Sequence, residues 1–176
     1  ELFEKKNLPF YKFGDAIYLA KIETKYWIEY ICKRFENTGK HISPELAEEI
    51  CRLVDNHSSY VQQLSWLLWI RTINTATTEQ LSYALEDLLD QNNILFQSET
   101  ENLSAYQMNF LKAIVDGIHT KFSSKEVISK YNLGTSANIV RLKNALLQKE
   151  LIETNGKEIV LADPVFGVWF KKEMLY

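Results

Sequence analysis

The chain has 176 residues, of which 46% are hydrophobic and 24% charged, with only 6 Gly and 3 Pro, a globular composition that excludes global disorder. Its net charge of −3 is unevenly spread: residues 1–100 hold 10 Lys+Arg against 15 Asp+Glu, and residues 101–176 hold 10 against 8. That division into an acidic part and a slightly basic part points to two units, neither with the strong positive balance usual in nucleic-acid-binding domains.

The opening stretch, Leu8 to Gly14, mixes aromatic residues with Pro and Gly without a period and reads as an extended connector, assigned to residues 1–22. From Tyr26 the pattern turns helical, with Trp27, Ile28, Ile31 and Phe35 on one face and Gly39 as a stop. Ser43-Pro44 then supplies an N-cap and a first-turn proline for a helix whose stripe is Leu46, Ala47, Ile50, Cys51 and Val54. A third helix, roughly Ser58 to Ile73, is apolar almost all round and is expected to be central, with Trp66 and Trp69 in the core. A fourth follows Thr77, which forms a capping box with Gln80, and turns Leu81, Ala84, Leu85, Leu88 and Leu89 inward. These four make a helical bundle over residues 23–97, and the polar stretch Gln97–Asn102 marks the boundary.

Beyond it, Ser104 and Gln107 form a second capping box, with Leu103 and Met108 in the positions of a hydrophobic staple, for a helix to about Ile118. The same device is expected at Phe122, Ser123, Glu126 and Val127, for a short helix stopping near Tyr131–Gly134. Thr135 caps the next helix, with Ile139, Leu142, Leu146 and Leu147 as its stripe. The period then changes to two on either side of Asn155-Gly156, a strong hairpin signal, and Asp163-Pro164 opens a last helix. Helix, helix, tight turn, helix, hairpin is the order of a winged helix-turn-helix, assigned to residues 103–176. The fold class is mainly α: a helical bundle followed by a winged helix-turn-helix with a small β-hairpin wing.

No constellation of catalytic residues stands out. Gly39-Lys40-His41 falls short of a phosphate-binding loop, because the required upstream Gly is Arg34 and the Ser/Thr position is His41. His41, His57 and His119 are scattered and lack ligand spacing, so no metal site is expected. Glu48, Glu49, Asp87 and Asp90 fall on polar helix faces, where solvation accounts for them. Cys32 and Cys51 have neither metal spacing nor a disulfide framework, which suits a reducing cytoplasm. The apolar run Trp66–Ile70 is broken well short of the roughly 18 residues that span a bilayer, so no membrane partner is expected. The chain opens on Glu1 without a basic and apolar leader, and is expected to be a fragment or a processed chain.

Three stretches carry a resemblance: Pro9-Phe10-Tyr11, Asn56 through Ser65, and Leu133 to Asn138 together with Asp163-Pro164-Val165-Phe166. In order and spacing they resemble the C-terminal half of the archaeal-type P-loop ATPases of the AAA+ and STAND group. That resemblance implies a helical lid followed by a winged helix, with a nucleotide-binding domain upstream in the same polypeptide. It implies that Phe10 and Tyr11 lie near the adenine, and that His57, Ser58, Ser59, Tyr60 and Gln62 face the nucleotide. ATP and magnesium would belong to the longer parent, and this chain would be no enzyme itself. The sequence departs from the family where His57-Ser58-Ser59-Tyr60-Val61-Gln62 stands for the usual His-Pro-Tyr-Tyr-Val-Gln, and no Arg occupies the lid's phosphate-sensor position.

Read without the family, Ser58 and Ser59 can cap a helix whose free N–H groups favour an anion, or serve as an ordinary cap. Phe10 and Tyr11, read without the family, are a pair of core aromatics anchoring a connector. In a winged helix-turn-helix the second motif helix would place Thr135, Ser136, Asn138 and Arg141 near base edges, with Lys143, Asn155 and Lys157 toward phosphates. Three functions follow from these readings. The chain is the lid and winged helix of a nucleotide-responsive switch, a free-standing winged-helix transcription regulator, or a protein-interaction module without DNA binding.

Overall fold

The computed structural model describes residues 20–175, so the connector assigned to residues 1–22, with Phe10 and Tyr11, lies almost wholly outside the described residues. Eight helices and one hairpin follow one another in the described residues. Helix α1 (Thr24–Glu36) buries Trp27, Ile31 and Phe35, which recur at the i, i+4 spacing of one helix face. Helix α2 (Pro44–Leu53) starts as expected: the Ser43 hydroxyl accepts from the Leu46 N–H at 3.2 Å, and Pro44, which has no N–H to leave unpaired, takes the first position.

Helix α3 (Ser58–Arg71) buries only Val61, Leu64, Leu67 and Leu68. Trp66 is 56% exposed and Trp69 only half-buried, so the expectation that this pair lies in the core is corrected. The physical reason is that α3 packs on α4, α2 and α1 along one side, and the apolar residues beyond that side outnumber what these neighbours cover. The link between α1 and α2 is stitched to the link after α3. The His41 N–H donates to the Asn74 carbonyl at 2.7 Å, and the Ala76 N–H donates to the His41 carbonyl at 2.8 Å. Lys40 donates to the Trp69 carbonyl at 2.6 Å with its ammonium 3.9 Å from the Trp69 ring centroid, which spends it on packing.

Helix α4 (Thr78–Glu101) opens on the expected capping box, with both the Gln80 N–H to Thr77 Oγ1 bond and its reciprocal formed, at 3.2 and 3.1 Å. Its 24 residues span about 36 Å and run without a break through the polar stretch after Gln97. Leu81, Ala84, Leu88 and Leu89 face the bundle, while Phe96 and Thr100, further along, are buried in the second unit.

Helix α5 (Ala105–Val115) carries the second capping box, Ser104 with Gln107, and ends ahead of Gly117, whose φ of +91° reverses the chain. Helix α6 (Lys125–Tyr131) starts one residue later than expected. Its cap is Ser124, not Ser123, and no box forms because the third residue on is Val127 and not a Glu. Helix α7 (Ser136–Gln148) follows a tight turn in which Asn132 and Gly134 both take positive φ. Thr135 holds the N-cap position without a side-chain hydrogen bond, which corrects its expected role.

Strands β1 (Ile152–Asn155) and β2 (Glu158–Leu161) pair antiparallel with Asn155 opposite Glu158, so the loop is Gly156-Lys157, one residue beyond the expected Asn155-Gly156. Of the two loop residues only Gly156 has a positive φ, +61°, the pattern of a Gly-first two-residue turn. Helix α8 (Pro164–Leu175) closes the described chain. Asp163 Oδ1 caps it by accepting from the Val165 and Phe166 N–H groups at 2.7 and 3.0 Å. An aromatic cluster joins α8 to α4: Phe96 lies 5.5 Å from Phe166 and 5.6 Å from Trp169, and Trp169 Nε1 donates to Asn93 at 2.8 Å. The architecture is thus mainly α, a helical bundle and a winged helix built on one shared helix.

Candidate functional site

The first turn of α3 is positioned by two residues in left-handed conformation, Asp55 and Asn56, which a short polar side chain tolerates. Asn56 exchanges side-chain hydrogen bonds with Thr24 of α1, and this fixes where α3 begins. The N-cap is His57, which makes no side-chain cap bond, so neither Ser58 nor Ser59 has the capping role expected of them. Both serines lie inside the first turn: Ser59 accepts from Gln63, and Gln62 donates to the Ser58 carbonyl at 3.2 Å. His57, Ser58, Ser59 and Gln62 are exposed, and the unpaired N–H groups of this turn favour an anion.

Tyr60 turns away from that exposed surface. Its ring lies 4.8 Å from the His57 ring, and its hydroxyl donates to Asp163 Oδ2 at 2.5 Å. Burial, and then the Asp163 carboxylate, push the Tyr60 hydroxyl well above the usual tyrosine range. Glu99, from the last turns of α4, is likewise held above the usual carboxylate range, first by burial and second by Asp163. The structure therefore brings His57, Ser58, Ser59 and Gln62 to one exposed turn, while Tyr60 reaches into the junction with the winged helix.

Gln62 also edges a groove of about 440 Å³ between α1 and α3, walled by Tyr30, Arg34, Thr38, Ser65, Trp66 and Trp69. The Arg34 guanidinium stands 5.0 Å from the Tyr30 ring centroid. A second hollow beside it, lined by Ile22, Tyr26, Trp27, Tyr30 and Gln62, extends this aromatic face. Sequence reading missed the groove, although Tyr26 and Tyr30 at i, i+4 and an α3 apolar on every side were its signal. Cys32 and Cys51 are free, and burial raises both thiols, Cys51 to about 11. Among the described residues no group of three His, Cys, Asp or Glu could hold a metal ion, and no helix is long and apolar enough to cross a membrane.

On the winged helix, Thr135 and Ser136 are exposed at the start of α7, Arg141 midway along it, and Asn155 and Lys157 at the wing tip. Asn138 does not join them freely, since its Nδ2 donates to the Leu133 carbonyl at 3.1 Å and so braces the turn before α7. Lys143 is half-buried at the edge of the helix face. The centre of the exposed face is instead Ala137, Val140, Asn144 and Gln148, with Val140 60% exposed. Arg141 is the one cation on that face, while Glu153 and Glu158 are exposed on the hairpin.

Comparison with known proteins fits this geometry. Residues 94–172 match the family model of a probable winged helix domain, beginning within α4. Among curated proteins none matches the sequence. Among solved structures, a Walker-type ATPase of Pyrococcus abyssi shares the fold over 86% of this chain with a TM-score of 0.64 and 18% identity, and the chain covers 42% of that protein's length. Both findings fit the fold expected from the sequence, the first for the winged helix and the second as a fold shared with part of a Walker-type ATPase. Residues 94–172 are thus a winged helix domain, carried on a helical bundle in a fold that the chain shares with part of a Walker-type ATPase.

Proposed function

We propose that the chain is the lid and winged-helix region of an AAA+/STAND-type ATPase of the cytoplasm, a nucleotide-responsive switch whose P-loop domain precedes it in a longer polypeptide. The observation that carries this reading is the bundle and winged helix sharing α4, in a fold found again within a Walker-type ATPase of which the chain covers 42%. In this reading the exposed turn His57–Gln62 meets the phosphates, and lid and winged helix rotate together against the upstream domain as nucleotide changes. ATP and magnesium are bound by the longer protein. The 176-residue chain has no ATPase activity of its own in this reading, because no set of its residues cradles a triphosphate and holds magnesium together, and Gly39-Lys40, the pair nearest to a phosphate loop, spends Lys40 on Trp69.

The test is the coding sequence upstream of Glu1, where an in-frame Walker A motif is expected and an initiation codon at this point would sink the reading. In the longer protein, Gln62→Ala is expected to change nucleotide affinity more than Gln80→Ala, since Gln80 is spent on the capping box. Equal and negligible effects in a titration would remove the α3 turn from the site.

For the winged helix, contact with another protein is the first reading, because Val140 and Ala137 lie at the centre of the exposed α7 face beside a single cation. DNA binding, as in a free-standing regulator, is the second reading, favoured by Thr135 and Ser136 at the start of α7, by Arg141 on its exposed face and by Asn155 and Lys157 at the wing. Fluorescence anisotropy on duplex DNA at low salt separates the two. Binding that Arg141→Ala weakens by ~1–3 kcal/mol with relaxed base preference would establish DNA recognition.

A further inference from the structure

Asp163 is used twice. Its Oδ1 accepts from the Val165 and Phe166 N–H groups and so starts α8, while its Oδ2 accepts from Tyr60 across 103 residues of sequence. It also stands two residues beyond Leu161, the last residue of β2, and the intervening Ala162 N–H is tied to the Leu151 carbonyl at 3.1 Å. One carboxylate therefore joins the start of α8, just past the wing's exit, to the first turn of α3. Tyr60 is half-buried there, with Glu99 of α4 beside Asp163, in surroundings where a hydrogen bond to a charged group is stronger than at an open surface.

We propose that Tyr60 is a relay between the two units: its hydroxyl on Asp163 couples the first turn of α3 to the wing and α8. A ligand at the α3 turn that draws Tyr60 off Asp163 loosens the winged helix and changes the affinity of a partner bound there, and that partner changes the ligand's affinity by the same factor, since such coupling is reciprocal. Its use as a nucleotide relay rests on the switch reading above, but the coupling itself does not.

The test is made on the 176-residue chain without nucleotide, so a failure of the relay is distinguishable from a failure of the switch. Tyr60→Phe removes the donor. Asp163→Ser keeps a good helix cap but has no second oxygen for Tyr60. Hydrogen–deuterium exchange is read in two segments, residues 61–66 of α3 and residues 158–170 of the wing and α8. Each variant is expected to speed exchange about tenfold in both segments, and the double variant no further. Tyr60→Phe effects confined to residues 61–66, or a double variant whose effect is the product of the two single effects, would overturn the relay. Should Asp163→Ser unfold the winged helix, Tyr60→Phe still decides by whether exchange rises in residues 158–170.

Discussion

Asn138 illustrates how one hydrogen bond decides what a side chain is for. Its type and position suit adenine recognition, but its amide is committed to the Leu133 carbonyl in a turn where Gly134 at φ +82° already leaves little room beside it. Asn138→Ala is therefore expected to cost about 1 kcal/mol, a fall in Tm of ~2–4 °C, and to leave any DNA affinity unchanged. Thermal melting and an anisotropy titration check the two halves. Glu99 makes the opposite kind of prediction. Its carboxyl is raised in the folded chain, by burial and then by Asp163, so its ionised form opposes folding at neutral pH. That penalty fades as pH falls through the raised value, and Glu99→Gln removes it. The variant is expected to melt higher at neutral pH, by no more than ~2 °C, with the gain shrinking as the medium is acidified.

Among the helices, the starts differ in a way that substitution can read. Thr77 and Ser104 cap through complete boxes, whereas Thr135 occupies the same position with its hydroxyl making no cap bond. Thr77→Ala is expected to destabilise by ~1 kcal/mol and Thr135→Ala by clearly less, measured as the shift in urea midpoint. The turn before α7 leaves this contrast behind: with Asn138 bracing the turn, the Thr135 hydroxyl is not needed. In the hairpin the same logic moves the loop by one residue, since a Gly at the first central position satisfies the turn and leaves Asn155 to pair with Glu158.

The molecule as a whole is organised by α4, which begins in the bundle and ends under α8. Phe96 sits in the one continuous core that runs through both units, against Phe166 and Trp169. Removing its ring empties a fully enclosed site, so Phe96→Ala is expected to cost ~3–5 kcal/mol. Because α4 belongs to both units, that loss should lower one common unfolding transition. Circular dichroism and tryptophan fluorescence are expected to coincide, and two separated transitions in the unsubstituted 176-residue chain would show that the shared helix does not couple them.

Much of this architecture is written in short-range signals. The caps at Ser43, Thr77, Ser104 and Asp163, the apolar stripes of α1, α2 and α7, and the change of period around Gly156 are properties of a few neighbouring residues, and they define the winged helix before any contact is known. Tertiary structure decided what local pattern is blind to. An apolar helix such as α3 does not reveal which of its sides has neighbours, so Trp66 faces outward beside a groove and not into the core. The run of α4 past Phe96 to Glu101 goes with the packing of α8 on Phe96, and the partner of Tyr60 stands 103 residues away. Local chemistry sets where helices start and chains turn, because those energies are spent between near neighbours. Burial and long-range hydrogen bonds depend on which surfaces meet, and only the assembled fold brings those surfaces together.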